Sequence, residues 1–182
     1  MINKNLKGDY AWLNDRFVAH GMSGGKDSLA AALFLRERGI KFTPIFLDTG
    51  FEHEVTYEYV YNYLAKEFPK LQTLSSLNNF NYDKEYQGGM EQLIKKRKMF
   101  PSNGKRFCTT ELKKIPLESF LNEQRKKTRK KPVNITGVRK YESYHRSKLG
   151  EIDEHDEATQ WRPILNFTEE EVVAIIKKHN MK

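Results

Sequence analysis

Short apolar runs alternate with longer amphipathic segments along the first half of the chain. The apolar runs have the length of buried strands, and the longer segments have helical spacing. Strands that alternate with helices predict a mainly parallel sheet covered on both faces, a three-layer α/β/α fold of the Rossmann-like class. The predicted strands are a run ending near His20, 42–47 and 71–77, and the predicted helices are 26–38, stopped by Gly39, and 54–67.

The second half of the chain is more polar, and its pattern is weaker. Thr168 and Glu171 form a capping-box signature that opens a last helix ending near His179. An acidic stretch at 148–160 has no regular period and is predicted to be a loop or a mobile flap. The remaining predicted elements are a polar loop at 78–89, basic helices at 91–99 and 109–127, a basic turn at 125–131 and a strand at 133–137.

A chain of 182 residues predicts a single domain, 1–182, with a basic helical segment at about 90–131. One cysteine allows no internal disulfide, which fits a reducing compartment. No apolar run approaches the roughly 20 residues of a membrane span, and the first residues lack the apolar core of a signal peptide. We therefore expect a cytoplasmic protein with no membrane partner.

The formal net charge of +8 is unevenly distributed. Between Lys95 and Lys148 the sequence has 18 Lys or Arg residues and four acidic residues, so this segment carries +14. Such asymmetry is typical of proteins that bind a polyanion, and nucleic acid is one candidate partner. The alternative is a solvated helix face together with side chains that hold the phosphates of a nucleotide.

Residues 23–28, with the sequence SGGKDS, lie between the first predicted strand and the first predicted helix. Two adjacent glycines permit a sharp turn with exposed amides, and the helix start adds unpaired N–H groups and a partial positive charge. The serines add hydroxyls, and the lysine adds a full charge. The arrangement predicts a phosphate or pyrophosphate site at Ser23, Gly24, Gly25, Lys26, Asp27 and Ser28.

This loop differs from the Walker-type loop, because Asp27 rather than Ser or Thr follows the lysine. A carboxylate within a phosphate site repels the anion unless it holds a metal ion or caps the turn. Asp27 is therefore a predicted Mg²⁺ ligand, which favours nucleotide chemistry over passive anion binding. The alternative is a glycine-rich turn that only begins a helix.

The loop resembles the PP-loop of the adenine-nucleotide alpha-hydrolase superfamily, which includes the N-type ATP pyrophosphatases. Further segments resemble the phosphoadenosine-phosphosulfate (PAPS) reductase-like branch of that superfamily. Together they span nearly the whole chain, and four ordered motifs are far more specific than one loop. The four segments are IFLDTGFEH at 45–53, RFCTTELK at 106–113, GVRKYESYHR at 137–146 and WRPIL at 161–165.

The resemblance implies an enzyme of sulfur metabolism or adenylyl transfer that binds ATP or PAPS with Mg²⁺. It favours Asp48 as a ligand of a ribose hydroxyl or a metal-bound water, although a turn residue is the equal alternative. Gly137 and Arg139 follow a predicted strand, at the edge where doubly wound sheets bind ligands. The candidate anion-binding side chains are Arg106, Lys113, Arg139 and Arg146, with surface charge as the alternative.

Cys108 stands near a predicted helix start, where its thiol pKa would be lowered and the thiolate could act as a nucleophile. The alternative is a buried packing cysteine. Sulfonucleotide reductases of the resembled family use a cysteine near the C-terminus, and their iron–sulfur variants need several cysteines. We therefore expect no iron–sulfur cluster, and sulfur chemistry would use Cys108 or an external thiol. The candidate catalytic residues are Lys26, Asp27, Cys108 and Arg139.

A different class of function is also compatible with the sequence. A nucleotide-responsive protein that binds nucleic acid or a partner protein, with little catalysis, would use the basic segment between Lys95 and Lys148. Its binding to nucleic acid would fall steeply with salt. An enzyme that modifies nucleic acid would combine the two interpretations.

Overall fold

The computed structural model describes residues 10–75, 89–102 and 104–181 of the chain. The polar loop predicted at 78–89 therefore lies almost wholly outside the described residues, as does the end of the third predicted strand. Within the described part, six strands form one sheet. The strands are β1 (Val18–Gly21), β2 (Thr43–Asp48), β3 (Gln72–Ser75), β4 (Val133–Ile135), β5 (Ile152–Glu154) and β6 (Thr159–Trp161).

Two of the helices contain a π-helical turn, Tyr59–Leu64 in one and Thr110–Lys114 in the other. Such turns are rare and often occur at functional sites. None of the described helices is both long and apolar enough to cross a bilayer. The helices are α1 (Lys26–Glu37), α2 (54–67), α3 (Gly89–Arg97), α4 (107–128), α5 (Tyr144–Ser147) and α6 (Glu169–Lys178), and short 3-10 turns occur at Ala11–Leu13 and Lys140–Glu142.

The strand order in the sheet is β3-β2-β1-β4-β6-β5. All neighbouring strands are parallel except β5, which pairs antiparallel with β6. The chain moves outward from β1 through β2 to β3 and then returns to the other side of β1 as β4. This reversal is a topological switch point, where doubly wound sheets bind ligands beyond the carboxyl ends of their strands.

Helices cover both faces of the sheet. On one face, α1, α2 and α6 pack together through a core that includes Leu33, Val60 and Val172. On the other face, Leu121 of α4 packs in a second cluster with Ile45 of β2. This layering confirms the predicted three-layer α/β/α fold with a mainly parallel sheet.

The prediction that residues 148–160 have no regular structure is wrong, because β5 and β6 pair as an antiparallel hairpin in this stretch. β5 is a three-residue strand at the edge of the sheet, and its residues are largely exposed. Such a short, polar strand has no hydrophobic periodicity from which it could be predicted. β6 ends at the buried Trp161, whose ring packs against Tyr10 and Trp12. These partners are far away in the sequence, and local pattern therefore does not reveal the strand.

The helix ends largely follow the prediction. Gly39 stands just beyond α1 with a φ of 64°, the left-handed conformation expected of it. α6 begins with the predicted capping box of Thr168 and Glu171. α4 continues into the predicted basic turn and ends at Thr128, and its C-cap residue Arg129 has a φ of 57°.

Candidate functional site

Residues 23–28, here called the SGGKDS loop, form the end of the turn after β1 and the first three residues of α1. Gly24 has a φ of 80°, a conformation that favours glycine. The Ser28 hydroxyl donates to the Gly25 carbonyl at 2.8 Å and accepts from the Ser23 amide at 3.2 Å. The Ser23 hydroxyl in turn accepts from the Gly25 amide at 3.3 Å. The two serines therefore hold the shape of the loop through local hydrogen bonds.

The SGGKDS loop leaves the first amides of α1 open. Gly25 is the N-cap residue, and no side chain of the described residues caps the helix. The Gly25 carbonyl accepts the first intrahelical bond from the Leu29 amide at 3.1 Å, so the amides between these residues have no intrahelical partner. Open N–H groups at the positive end of a helix dipole form a favourable place for an anion.

Gly137, two residues beyond β4, contacts the first turn of α1. A Cβ atom at this position would lie 2.4 Å from the Asp27 carbonyl oxygen and 2.7 Å from the Ser28 Cα atom. Both are backbone atoms, which cannot move aside as a flexible side chain does. Gly137 therefore allows the end of β4 to approach the SGGKDS loop, and the strand predicted at 133–137 ends at Ile135.

Arg139 follows the same segment and binds Asp27 through its guanidinium. Its Nε atom lies 2.7 Å from Asp27 Oδ1, and the two side chains are only 7% and 17% exposed. Burial lowers the pKa of Arg139, but the carboxylates of Asp27, Glu142 and Glu169 outweigh this effect, and the pKa is raised. Arg139 is therefore a fixed positive charge beside the start of α1.

Lys26 of the loop contacts the last helix. Its Nζ atom lies 2.5 Å from Oε1 of Glu169, the first residue of α6. Lys26, by hydrogen bond and then by charge, lowers the pKa of this carboxyl. Both side chains are about half exposed, at 47% and 59%, so an anion from solvent can compete for the lysine.

A cleft of about 260 Å³ opens at the carboxyl ends of β1, β2 and β4. The serines of the SGGKDS loop and Gly137 form one side of it. Lys113, from the π-helical turn of α4, and Glu52 form the other side, with 3.3 Å between the Lys113 Nζ atom and Glu52 Oε1. The cleft lies at the switch point of the sheet, where the fold is expected to bind a ligand.

Asp48 ends β2, and its carboxylate is engaged within the protein. Oδ1 accepts from the Gly50 amide and from the Tyr57 hydroxyl, both at 2.8 Å, and Oδ2 accepts from the Tyr61 hydroxyl at 3.4 Å. Burial and then the bonded Asp48 carboxylate raise the pKa of Tyr57 to about 12, so this phenol keeps its proton and donates it. These contacts match the turn interpretation, and a ribose contact from Asp48 stays a prediction.

Two other predicted anion-binding residues have different surroundings. Arg146 pairs with Glu142, which also accepts a hydrogen bond from the Arg139 amide at 2.9 Å. This network holds the 3-10 turn and α5 together. Arg106 precedes α4 and is exposed. For both arginines, a role as a nucleotide ligand stays a prediction.

Cys108 is half-buried near the start of α4. It packs against a small cluster formed by Met90, Leu93 and Leu112 between α3 and α4. These apolar contacts are those of a packing cysteine. A nucleophilic role for Cys108 stays a prediction that substitution can test.

His20 and Glu169 contribute to the site, and the sequence analysis does not single them out. The His20 ring is fully buried, with Nε2 2.8 Å from the Ser28 carbonyl oxygen and Nδ1 3.2 Å from that of Ile135. Burial lowers its pKa against the opposing effect of both carbonyls, so the ring is neutral near pH 7 and donates to one of them. A lone histidine in an apolar strand is only a weak sign of a functional residue. The contact of Glu169 with Lys26 joins residues 143 positions apart, so no local sequence pattern reveals it.

The described side chains around Asp27 do not fit a resident Mg²⁺ site. The Asp27 carboxylate is bonded to the Arg139 guanidinium, and a second cation beside it would be repelled. The described part of the chain also contains no group of three or more His, Cys, Asp and Glu side chains that could hold a metal ion. We therefore assign no metal ligand here.

Much of the positive charge between Lys95 and Lys148 is compensated in the fold. At least eight of its 18 basic side chains lie within ion-pair distance of a carboxylate. Such surface pairs weaken the field that a polyanion meets. Nucleic-acid binding by this segment stays a prediction. The paired residues are Lys95, Arg97, Lys113, Lys114, Lys130, Lys131, Arg139 and Arg146.

A family model described as phosphoadenosine phosphosulfate reductase domain matches residues 18–182. Three curated relatives, each named as uncharacterized, are similar in sequence. A 37.8 kDa protein of Escherichia phage 186 is 27% identical over 88% of this chain and 60% of its own length. Two proteins of Methanocaldococcus jannaschii are 31% and 30% identical, over 70% and 71% of this chain and 27% and 24% of their own lengths. The chain thus spans 60% or less of these relatives.

Two solved structures share the fold. The PAPS reductase of Candida auris, solved as a phosphate complex, has a TM-score of 0.63 and 16% identity, over 95% of this chain and 77% of its own. The tRNA thiolase NcsA of Methanococcus maripaludis, solved with its 4Fe-4S cluster, has a TM-score of 0.57 and 16% identity, over 93% of this chain and 58% of its own. At these identities the similarity concerns the fold alone.

Proposed function

Because the chain belongs to the phosphoadenosine phosphosulfate reductase domain family, we propose that it is an enzyme that binds an adenine nucleotide at the SGGKDS loop. The observation that carries this proposal is the uncapped start of α1 at Gly25. Its open amides and helix dipole suit the phosphate chain of the nucleotide. The adjoining cleft, with Ile45, Phe46 and Leu47 in its lining, suits the planar base.

The proposed reaction is attack of an acceptor on the alpha phosphorus of ATP. The new bond joins the acceptor to this phosphorus, the bond to the bridging oxygen breaks, and pyrophosphate leaves with the electron pair. The loop amides and the Lys26 ammonium stabilise the charge that develops on pyrophosphate. Lys26 must exchange its contact with Glu169 for the phosphates. Any Mg²⁺ is proposed to arrive with the nucleotide.

Within this site, Arg139 is a positioning residue. Its guanidinium holds Asp27 in the first turn of α1, and Gly137 lets the same segment reach the loop. Together they fix the loop amides before the nucleotide binds, which lowers the ordering cost of binding. The network of Arg146 and Glu142 supports Arg139 from the other side.

The family match also favours a second candidate reaction, with PAPS or adenosine phosphosulfate as the substrate. A thiolate would attack the sulfur atom of the sulfonucleotide, and the bond from sulfur to the phosphate oxygen would break. Either Cys108 or an external thiol would supply the thiolate. Replacement of Cys108 by serine distinguishes the two thiol sources. Activity should be lost if Cys108 supplies the thiolate and kept if an external thiol supplies it.

A third candidate combines the nucleotide site with nucleic acid as the acceptor. The basic residues Lys126, Lys127 and Arg129 are exposed at the end of α4 and support this candidate. Binding of RNA or DNA would weaken steeply as salt is raised. No binding at low salt would remove nucleic acid from the set of acceptors.

The experiment that tests the proposed function measures nucleotide binding and pyrophosphate release together. Titration calorimetry with ATP, PAPS and adenosine phosphosulfate, each with Mg²⁺, should find binding of one of them to the unaltered protein. Lys26→Ala should weaken this binding and slow pyrophosphate release strongly. Lys177→Ala removes an exposed lysine at the far end of α6 and is the matched control. Unchanged pyrophosphate release by a folded Lys26→Ala variant would remove Lys26 from the site.

A further inference from the structure

Two tyrosine rings lie exposed on the segment that follows β4. Tyr141 belongs to the 3-10 turn Lys140–Glu142 and is 65% exposed, and Tyr144 is the first residue of α5 and is 73% exposed. We call this pair the tyrosine platform. Neither ring packs in a core cluster of the described residues. The two rings therefore contribute little to the fold and are accessible to a ligand.

The backbone under the tyrosine platform is held by the rest of the fold. The Arg139 amide donates to Glu142 Oε2 at 2.9 Å. The Lys140 amide donates to the Leu165 carbonyl, also at 2.9 Å. The Ser143 side chain caps the start of α5. Rings on a fixed backbone lose little conformational entropy when a flat ligand stacks on them.

Each ring of the tyrosine platform has a lysine ammonium close to it. Lys140 Nζ lies 4.9 Å from the centroid of the Tyr141 ring, and Lys148 Nζ lies 4.3 Å from that of Tyr144. No carboxylate of the described residues lies within ion-pair distance of either lysine. Both charges are therefore available to an anion that binds beside the rings.

A shallow groove of about 540 Å³ adjoins the platform at Tyr141. Its lining also contains Arg139, Glu142, Thr168 and Glu169. Both carboxylates of this lining are already paired with cationic side chains, so they oppose an incoming polyanion only weakly. None of the lining residues lines the cleft beside the SGGKDS loop, and the groove is thus a separate feature.

These features together select a ligand that combines negative charge with flat rings. Residues 139–148 contain four Lys or Arg residues and one acidic residue, which favours a polyanion. An acidic peptide would satisfy the lysines but would leave the tyrosine rings unused. The bases of a duplex stack on one another, so their faces are not available. Unpaired bases, in contrast, stack on aromatic side chains while their phosphates bind lysines.

We propose that the tyrosine platform binds single-stranded nucleic acid, with one unpaired base stacked on each ring. Lys140 and Lys148 bind the phosphates that flank these bases. The strand continues along the groove past Glu169, and so passes beside Lys26. Binding to the platform does not depend on the nucleotide site, and only a role of the strand as the acceptor rests on the proposed function.

The test uses two labelled probes with equal backbone charge. One is an oligothymidine, and the other is an abasic strand of the same length, which has every phosphate but no base. Fluorescence anisotropy at low salt measures both affinities. We expect the unaltered protein to bind oligothymidine roughly 100-fold more tightly, because each of two stacked bases contributes about tenfold. Equal affinity for the two probes, or no binding of oligothymidine, would overturn the proposal.

Substitutions assign the bases to the tyrosine platform. Tyr141→Ala and Tyr144→Ala should each weaken oligothymidine binding roughly tenfold and leave the abasic strand unaffected. Tyr144→Phe keeps the ring and should bind as the unaltered protein does. Phe100→Ala removes a ring that is 69% exposed just beyond α3, and is the control. A preference for oligothymidine that survives both alanine substitutions would place the bases elsewhere and overturn the proposal.

A lysine substitution separates the effect of charge from that of stacking. Lys148→Gln should weaken both probes equally and reduce the slope of log affinity against log salt by about 0.7. Unchanged binding of both probes would contradict the phosphate contact. Calorimetric titration with ATP should give the same affinity in Tyr141→Ala as in the unaltered protein. Failure of ATP to bind a protein that still binds oligothymidine would overturn the nucleotide site alone.

Discussion

Gly137 and Asp27 come so close that a methyl group at Gly137 would stand 2.4 Å from the Asp27 carbonyl oxygen. The contact joins the segment after β4 to the first turn of α1, across the strand reversal of the sheet. The SGGKDS loop is thus held from outside as well as by its own serines. This contact explains why the GVRKYESYHR segment begins with a glycine, because any side chain at this position would collide with the backbone of α1.

Gly137→Ala is expected to displace the loop and to weaken nucleotide binding. Overpacking against backbone costs about 1–3 kcal/mol, so the free energy of unfolding should fall by this amount. Thermal unfolding and calorimetric titration with ATP measure the two effects. Gly104→Ala is the control, because a Cβ atom at Gly104 would meet no described atom within 4 Å. A Gly137→Ala variant with unaltered stability and affinity would contradict the close contact.

The ion pair of Arg139 and Asp27 is expected to be energetically coupled. Both side chains are largely buried, so removal of one partner leaves the other uncompensated at a cost of about 3 kcal/mol. Arg139→Met and Asp27→Asn should each lower the free energy of unfolding, and the double variant should lose less than the sum. Denaturant titration of all four proteins measures the coupling.

The control for this cycle is the pair of Lys130 and Asp15, which is 49% and 81% exposed. Lys130→Met should change stability by less than about 1 kcal/mol. Strictly additive effects of the Arg139 and Asp27 substitutions would show that the two side chains do not interact in solution.

Glu169→Gln is expected to strengthen the binding of pyrophosphate. Glu169 competes with an anion for Lys26, and the exposed pair is weak, so the gain should be roughly two- to fivefold in affinity. Calorimetric titration with pyrophosphate at low salt measures it. Glu170→Gln removes the neighbouring charge and should have a smaller effect. An affinity that falls in Glu169→Gln would mean that Glu169 supports the anion site instead of competing with it.

Stability is expected to depend on pH through His20. Burial lowers the folded pKa of His20, whereas the unfolded chain has the ordinary value of about 6.5. The contribution of His20 to the free energy of unfolding is therefore fully present above pH 6.5. It is lost as the pH falls from 6.5 towards the folded pKa, and the free energy of unfolding then changes by at most about 1.4 kcal/mol per pH unit. Denaturant titrations between pH 5 and 7.5 measure the slope.

His20→Gln should flatten this slope, because glutamine does not titrate, whereas the exposed His145→Gln should keep it. An identical slope in the unaltered protein and in His20→Gln would assign the pH dependence to other groups. The loss of absolute stability in His20→Gln reports separately on the contacts with the Ser28 and Ile135 carbonyls.

The sequence predicts those parts of the molecule that local rules determine. The strand, glycine turn and helix around residues 23–28 follow from glycine conformations and helix periodicity, and the capping box at Thr168 follows from side-chain geometry. Arg139 and Gly137 could be placed near the site because both follow a strand of a doubly wound sheet. Their contact with Asp27 was not predictable, because it depends on the strand order.

The remainder depends on tertiary contacts. β6 is a strand because it pairs with β4 and because Trp161 packs against Tyr10 and Trp12. Asp48 is bound by Tyr57 and Tyr61 of α2, which turns a candidate ligand into a residue with its own partners. Neither relationship leaves a local trace in the sequence.

The central claim is that the open amides of the SGGKDS loop hold the phosphate chain of an adenine nucleotide. A crystal structure with the non-hydrolysable analogue α,β-methylene ATP tests it most directly. We expect phosphate oxygens within about 2.7–3.2 Å of the amides of Lys26, Asp27 or Ser28, with the Lys26 side chain turned from Glu169 to the phosphates. Phosphates bound elsewhere, with the Lys26–Glu169 pair intact beside an empty loop, would contradict the account.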